Sequence, residues 1–189
     1  MARFTHPNDA DIAGPAGPRG EKGDTGAQGP QGEPGAAGGF GKYGSWYHTE
    51  TQTVNVTSIG QPVILNTEAF ANGFTKINNS ELKCSSTGIY NLAFSFQFRN
   101  EGGGGNGTTV EIWLVKNEQP VANTNTRVSV NTNSPFVVSA WNFFEQMEVN
   151  DNLQIYWATD NHHIVMKANT GTMGGPHIPS AIMTINQVG

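Results

Sequence analysis

Residues 88–99, GIYNLAFSFQFR, alternate strictly: Tyr90, Leu92, Phe94, Phe96 and Phe98 leave an extended chain on one side, and Asn91, Ala93, Ser95 and Gln97 on the other. A period of two held this long specifies a β-strand with one buried face, because successive side chains of a strand point to opposite sides. Outward from it, strand-like runs recur at 46–56, 62–66, 74–77, 81–85, 109–116, 126–130, 136–146, 152–159 and 180–188. Turn clusters separate them, among them Asn72-Gly73, Gly102 to Gly107, Asn133-Ser134-Pro135 and Asn150-Asp151-Asn152. No stretch shows a helical period with caps. About ten short strands after residue 44 predict an all-β domain, a sandwich or jelly roll.

Two late runs, FVVSAWNFF (136–144) and LQIYW (153–157), are apolar on both faces. A two-sheet sandwich buries only one face of each sheet, so the surplus predicts a partner on the other face. Tyr90, Phe94, Phe96, Trp141, Phe143, Tyr156 and Trp157 are the residues assigned to the core and to that contact. Trp141 and Trp157 could stack on a sugar, but both fall within predicted strands and read as core or interface aromatics.

Toward the N-terminus the pattern changes. Glycines at 14, 17, 20, 23, 26, 29, 32, 35, 38, 41 and 44 keep a strict period of three, in the triplets GPA GPR GEK GDT GAQ GPQ GEP GAA GGF GKY. Only glycine fits at the crowded axis of three wound polyproline-type chains, so this register predicts a collagen triple helix, roughly 90 Å long at about 3.1 Å per residue. Pro15, Pro18, Pro30 and Pro34 stiffen it, and GEKGD at 20–24 supplies acids and bases for pairing between staggered chains. The expected organisation is an anchor segment at 1–13, a collagen-like stalk at 14–44 and a C-terminal head at 45–189. The stalk is trimeric by its geometry, so the homotrimer becomes the natural partner for the surplus apolar face.

Composition removes several classes. Of 189 residues, 10 are Lys or Arg and 15 Asp or Glu, a net charge of −5 with no basic stripe, which excludes binding nucleic acid by phosphate neutralisation. The single Cys84 can close no intramolecular disulfide and belongs to no Cys/His cluster. No run is long and apolar enough to predict membrane insertion, and MARFTHPNDADIA lacks the apolar core of a secretory signal. With Met1 read as a native start, the expected place of first folding is a cytoplasm. No G-x-S-x-G, H-E-x-x-H or phosphate-cradling loop appears, so the chain is read as no enzyme, with no cofactor and no metal.

The segments GIYNLAFSFQF, VEIWLVKNEQPV, MEVNDNLQIYWAT and IPSAIMTINQV resemble, in order and spacing, strands of the tumour necrosis factor-like and complement C-one-q-like heads. That resemblance implies a trimeric ten-stranded jelly roll at the end of a collagen stem. The closing PSAIMTINQV also resembles the ends of collagen-stemmed structural proteins of tailed bacteriophages, especially cyanophages. Calcium through Asp151 and Asp160, as some family members bind it, is a weaker implication.

If the C-terminus returns to the end where the first strand starts, the connections at 100–108, 131–135 and 159–179 share the opposite tip. Gly104, Asn106, Asn133, His162, His163, Lys167 and His177 are therefore the candidate host-contact residues, for a cell-surface glycan or protein. The three histidines invite a metal, but adjacent histidines on a strand face opposite ways, and solvated loop histidines are the reading taken. Arg3, Phe4 and Asp11 are the candidate anchor to a capsid or tail protein. The function this points to is a fibre or decoration protein on a virion surface, assembled in the host cytoplasm. The alternatives are a filament on a bacterial or spore surface and, behind it, a secreted complement- or cytokine-like ligand.

Overall fold

The computed structural model describes residues 14–27, 41–102, 108–132 and 136–189. Arg3, Phe4, Asp11, Gly104, Asn106 and Asn133 lie outside the described residues. The chain divides into two units, Met1–Gly38 and Gly39–Gly189. In the first, residues 14–27 are exposed throughout and belong to neither helix nor strand.

The second unit is all-β, with no helix among the described residues. Its strands are β1 (Tyr43–His48), β2 (Gln52–Thr53), β3 (Gln61–Pro62), β4 (Thr67–Asn72), β5 (Phe74–Lys76), β6 (Leu82–Cys84) and β7 (Gly88–Asn100). There follow β8 (Thr109–Lys116), β9 (Gln119–Pro120), β10 (Thr126–Ser129), β11 (Val137–Met147), β12 (Asn152–Thr159), β13 (Ile164–Met166) and β14 (Ala181–Gln187). They form two sheets of seven. One runs β2-β13-β7-β14-β1-β4 with β11 on the other side of β7. The other runs β10-β8-β12-β6-β5, with β3 beside β12 and β9 beside β8. All strand pairings among the described residues are antiparallel, and neighbours within each sheet are mostly distant in sequence. This connectivity fits a jelly roll, although the expected ten strands appear as fourteen shorter ones.

β7 organises the core as its sequence requires. Tyr90, Leu92, Phe94, Phe96 and Phe98 are all buried, and the alternate residues are not. They meet Val110, Ile112 and Leu114 of β8 and Leu153, Ile155 and Trp157 of β12 in one cluster. Phe98 and Trp157 join the sheets with ring centroids 5.6 Å apart. At fully buried aromatics of this size, truncation to alanine costs about 3–5 kcal/mol through lost transfer energy and the cavity left behind.

Two boundaries differ from the sequence reading. Tyr43 and Gly44, which the triplet register places in the stalk, lie in β1 and pair with Asn186 and Ile185 of β14. Gly44 serves packing here: a Cβ built on it would come within 2.0 Å of the Trp46 ring, which is fully buried. The expected strand at 46–56 is also broken, ending at His48 and resuming at Gln52.

Candidate functional site

The register of the first sheet fixes which side chains share its outer face, because directly opposed residues of an antiparallel pair point the same way. One row is Phe144, Asn91, Asn186, Tyr43 and Asn72 across β11, β7, β14, β1 and β4. The next is Asn142, Ala93, Thr184, Ser45 and Phe70, and the third Ala140, Ser95, Ile182, Tyr47 and Thr67. Val138 and Gln97 begin a fourth. None of these 17 positions carries a charge; Arg99, the next outward position of β7, is charged and lies over the Phe136 ring at the far end of the sheet. The outside of the second sheet, by contrast, carries Lys83, Glu111 and Arg127.

Small residues, Ala93, Ser95, Ala140 and Ser45, occupy the middle of the uncharged face, and large apolar ones stand around them. Phe144 is 64 % exposed, Phe70 and Val138 58 % each, and Ile182 37 %. Tyr43 packs edge-on against Phe70 at 6.1 Å. A flat centre rimmed by exposed aromatics and free of charge has the chemistry of a protein contact, since leaving such a face in water forgoes its burial energy.

Four of the seven residues assigned to core or trimer contact, Tyr90, Phe94, Phe96 and Trp157, are core. Trp141 and Phe143 are half-buried on the core side of β11, 5.0 and 6.0 Å from Phe94. Tyr156 alternates with Trp157 along β12, so it points outward from the second sheet and packs against Trp113. The residues that fill the uncharged face were missed by name. The signal for them was the second alternation inside FVVSAWNFF, where Val138, Ala140, Asn142 and Phe144 interleave with Val137, Ser139, Trp141 and Phe143.

The strand ends follow the expected direction. Tyr43 of β1 and Asn186 of β14 lie opposite each other, so both termini of the second unit are at one end of the sandwich. β7 leaves that end at Gly88 and reaches the far end at Asn100; Val137 pairs with Phe98, and Thr159 with Val110. Asn100, Thr109, Val137 and Thr159, the strand ends that flank the connections after β7, before β11 and after β12, therefore lie at the far end. There Glu101 donates its backbone N–H to the His163 carbonyl at 2.9 Å, and Lys167 pairs with Glu101 at 2.6 Å. The His162 and His163 rings lie 4.1 Å apart. They sit in a turn ahead of β13, where strand alternation does not apply, so the expectation that they face opposite ways is corrected. His177 is held separately, its Nε2 2.8 Å from the Thr49 carbonyl.

Among the described residues, no group of three or more His, Cys, Asp and Glu could hold a metal ion. Asp151 and Asp160 stand at opposite ends of β12 and cannot share a calcium. Asp151 accepts from Asn117 Nδ2 at 2.8 Å and from the Glu148 N–H at 2.9 Å. Burial pulls its carboxyl upward, but these bonds and Lys116 outweigh it and hold it below the ordinary carboxylate value.

His48, at the end of β1, is 6 % exposed, and its Nδ1 has no partner. Burial lowers its pKa from about 6.5, against weaker opposition from Glu50 and Asn66. With the folded pKa depressed, the unfolded chain binds the extra proton first, so stability falls as pH drops through and below 6.5. The thermal midpoint is expected to decrease between pH 7.5 and 5.5, with a shallower slope in His48→Gln. An equal slope in both would remove His48 as the cause.

No family model matches the chain, and no curated protein matches it. Many solved structures are similar to this chain, murine APRIL among them. Murine APRIL, a jelly roll of the tumour necrosis factor family, aligns over 78 % of this chain and 99 % of its own, with a TM-score of 0.47 and 9 % identity.

Proposed function

We propose that this protein is a homotrimeric fibre or decoration protein of a virus particle, a tailed phage by the resemblance of its closing PSAIMTINQV. In this reading residues 1–13 attach to capsid or tail, a collagen triple helix forms the stalk, and a trimeric jelly-roll head follows, with a structural rather than enzymatic role. The observation that carries it is the uncharged outer face of the first sheet in a chain that also holds eleven glycines at period three. A collagen stem needs three chains, and the exposed Phe144, Val138, Phe70 and Ile182 need cover. Three copies meeting through this face satisfy both demands at once.

The head's first task is then assembly, holding three stems in register. Its second is contact with the host surface, where repetition over a particle lets weak contacts add by avidity. Electron microscopy of particles from the source tests the class. Thin rods ending in knobs on capsid or tail are expected; particles without them, with the protein found instead on cell or spore surfaces, would favour the bacterial filament.

A further inference from the structure

A groove of about 420 Å³ runs along the outer side of the second sheet, between β8 and the connection from β9 to β10. Its floor includes the half-buried Trp113, and Pro120, Val121, Asn123, Asn125 and Glu111 stand around it. This volume lies in the range of small-molecule sites, which pair an apolar or aromatic surface with a few placed polar groups. We propose that this groove is a binding site for a neutral saccharide, with the Trp113 indole under the C–H face of a pyranose ring and Asn123, Asn125 and Glu111 taking its hydroxyls.

The platform is held in place from two sides. Tyr156 lies beside it on β12, ring centroids 6.0 Å apart. Gly60 lies against the indole's far edge, where an added Cβ would come within 2.4 Å of Cζ2 and 2.5 Å of Cη2. The facing wall is equally fixed. Buried Thr124 accepts the Leu114 N–H at 3.1 Å and donates to the Val121 carbonyl at 2.8 Å. Val121 in turn donates to the Leu114 carbonyl at 2.9 Å. This leaves Asn123 exposed at the apex in the left-handed region, φ 64°. A preformed site loses little entropy on binding.

The polar groups select against charged ligands. Glu111 Oε1 accepts from Arg127 Nε at 3.0 Å and from Arg127 Nη2, and Oε2 accepts from Asn125 Nδ2 at 3.1 Å. Arg127, and then Asn125, hold its carboxyl below the ordinary value, so it stays an acceptor at neutral pH. Of about four lone-pair positions on an ionised carboxylate, three are taken and one remains for a hydroxyl. The Arg127 charge is committed to Glu111, so an acidic sugar or phosphate would meet a carboxylate without a free cation. The groove also lies on the sheet face opposite the uncharged one, and three copies joined there would leave three grooves open.

This inference rests on the reading of the head as a host-contacting module only for its purpose; the groove stands on its own residues. The test is the full chain on an array of neutral hexose oligosaccharides and their sialylated forms, followed by tryptophan-fluorescence titration with the neutral glycan bound best. Neutral glycans should bind, with affinity falling at least tenfold in Trp113→Ala and several-fold in Asn123→Gly, which keeps the left-handed backbone and should melt like the parent. No neutral glycan bound, sialylated forms bound alone, an apolar peptide bound in their place, or unchanged affinity in both variants would each overturn the site. If Trp113→Ala does not fold, Asn123→Gly decides by the same criterion. Adsorption to host cells separates the two ideas: adsorption by a chain that binds no neutral glycan overturns the groove and leaves host contact standing, whereas glycan binding without adsorption does the reverse.

Discussion

A full chain carrying Ala93→Glu is expected to run in solution as a folded single chain, where the parent runs as three. Ala93 sits in the middle row of the uncharged face, between Asn142 of β11 and Thr184 of β14. In the isolated chain a glutamate there reaches water and costs little. In a three-chain contact the same carboxylate would be taken from water with no cation on the other 16 positions to pair it, a penalty of several kcal/mol at each of three copies. Trimerisation should be abolished while far-ultraviolet circular dichroism and the pH-dependent melting attributed to His48 persist. Ser129→Glu, exposed on β10 outside the second sheet, is the matched control and should leave the mass unchanged. If both variants keep the parent's mass, another surface holds the chains together.

The second large effect concerns the stem. A peptide of residues 1–42, which stops short of β1, is expected to stay monomeric and show no triple-helix circular dichroism, while the full chain shows it. Four prolines over so few triplets give little stiffness, and exposed pairs such as Glu21 and Lys22 with their neighbours contribute about 0–1 kcal/mol each. What the stem lacks is local concentration and a fixed stagger. A trimeric head would supply both, because closing three tethered chains is an intramolecular event. A 1–42 peptide that trimerises alone would show that the stem drives assembly and the head follows.

The legibility of this chain divides along physical lines. β7 was readable because its buried and exposed faces differ sharply, and one strand with that contrast fixes the class of the whole domain. β4 gave no signal, since TEAFAN is exposed at most of its positions and an edge strand needs no apolar stripe. β13 failed for the opposite reason: Ile164, Val165 and Met166 are all buried, and three apolar residues carry no period. Tyr156 and Trp157 looked equivalent in sequence but stand on opposite sides of one sheet, a distinction that depends on knowing which residue of the pair starts the alternation. Trp113 was invisible as a site because no local pattern shows that the loop at 121–125 folds back beside it, and Gly60, which backs its indole, is distant in sequence.

The same contrast explains the boundary between stalk and head. Gly44 satisfies the triplet period and also the close approach of Trp46, so the sequence alone cannot tell which demand placed it there. The pairing of Tyr43 with Asn186 answers that, placing both residues in the sheet.

The central claim is that three copies of this chain join through the uncharged face of the first sheet. Sedimentation equilibrium of the unmodified full chain tests it most directly. A single species at about three times the chain mass of 20.2 kDa, unchanged over a wide dilution range, is the predicted result. A species at the mass of one chain, with Phe144 and Val138 left in water, would contradict it.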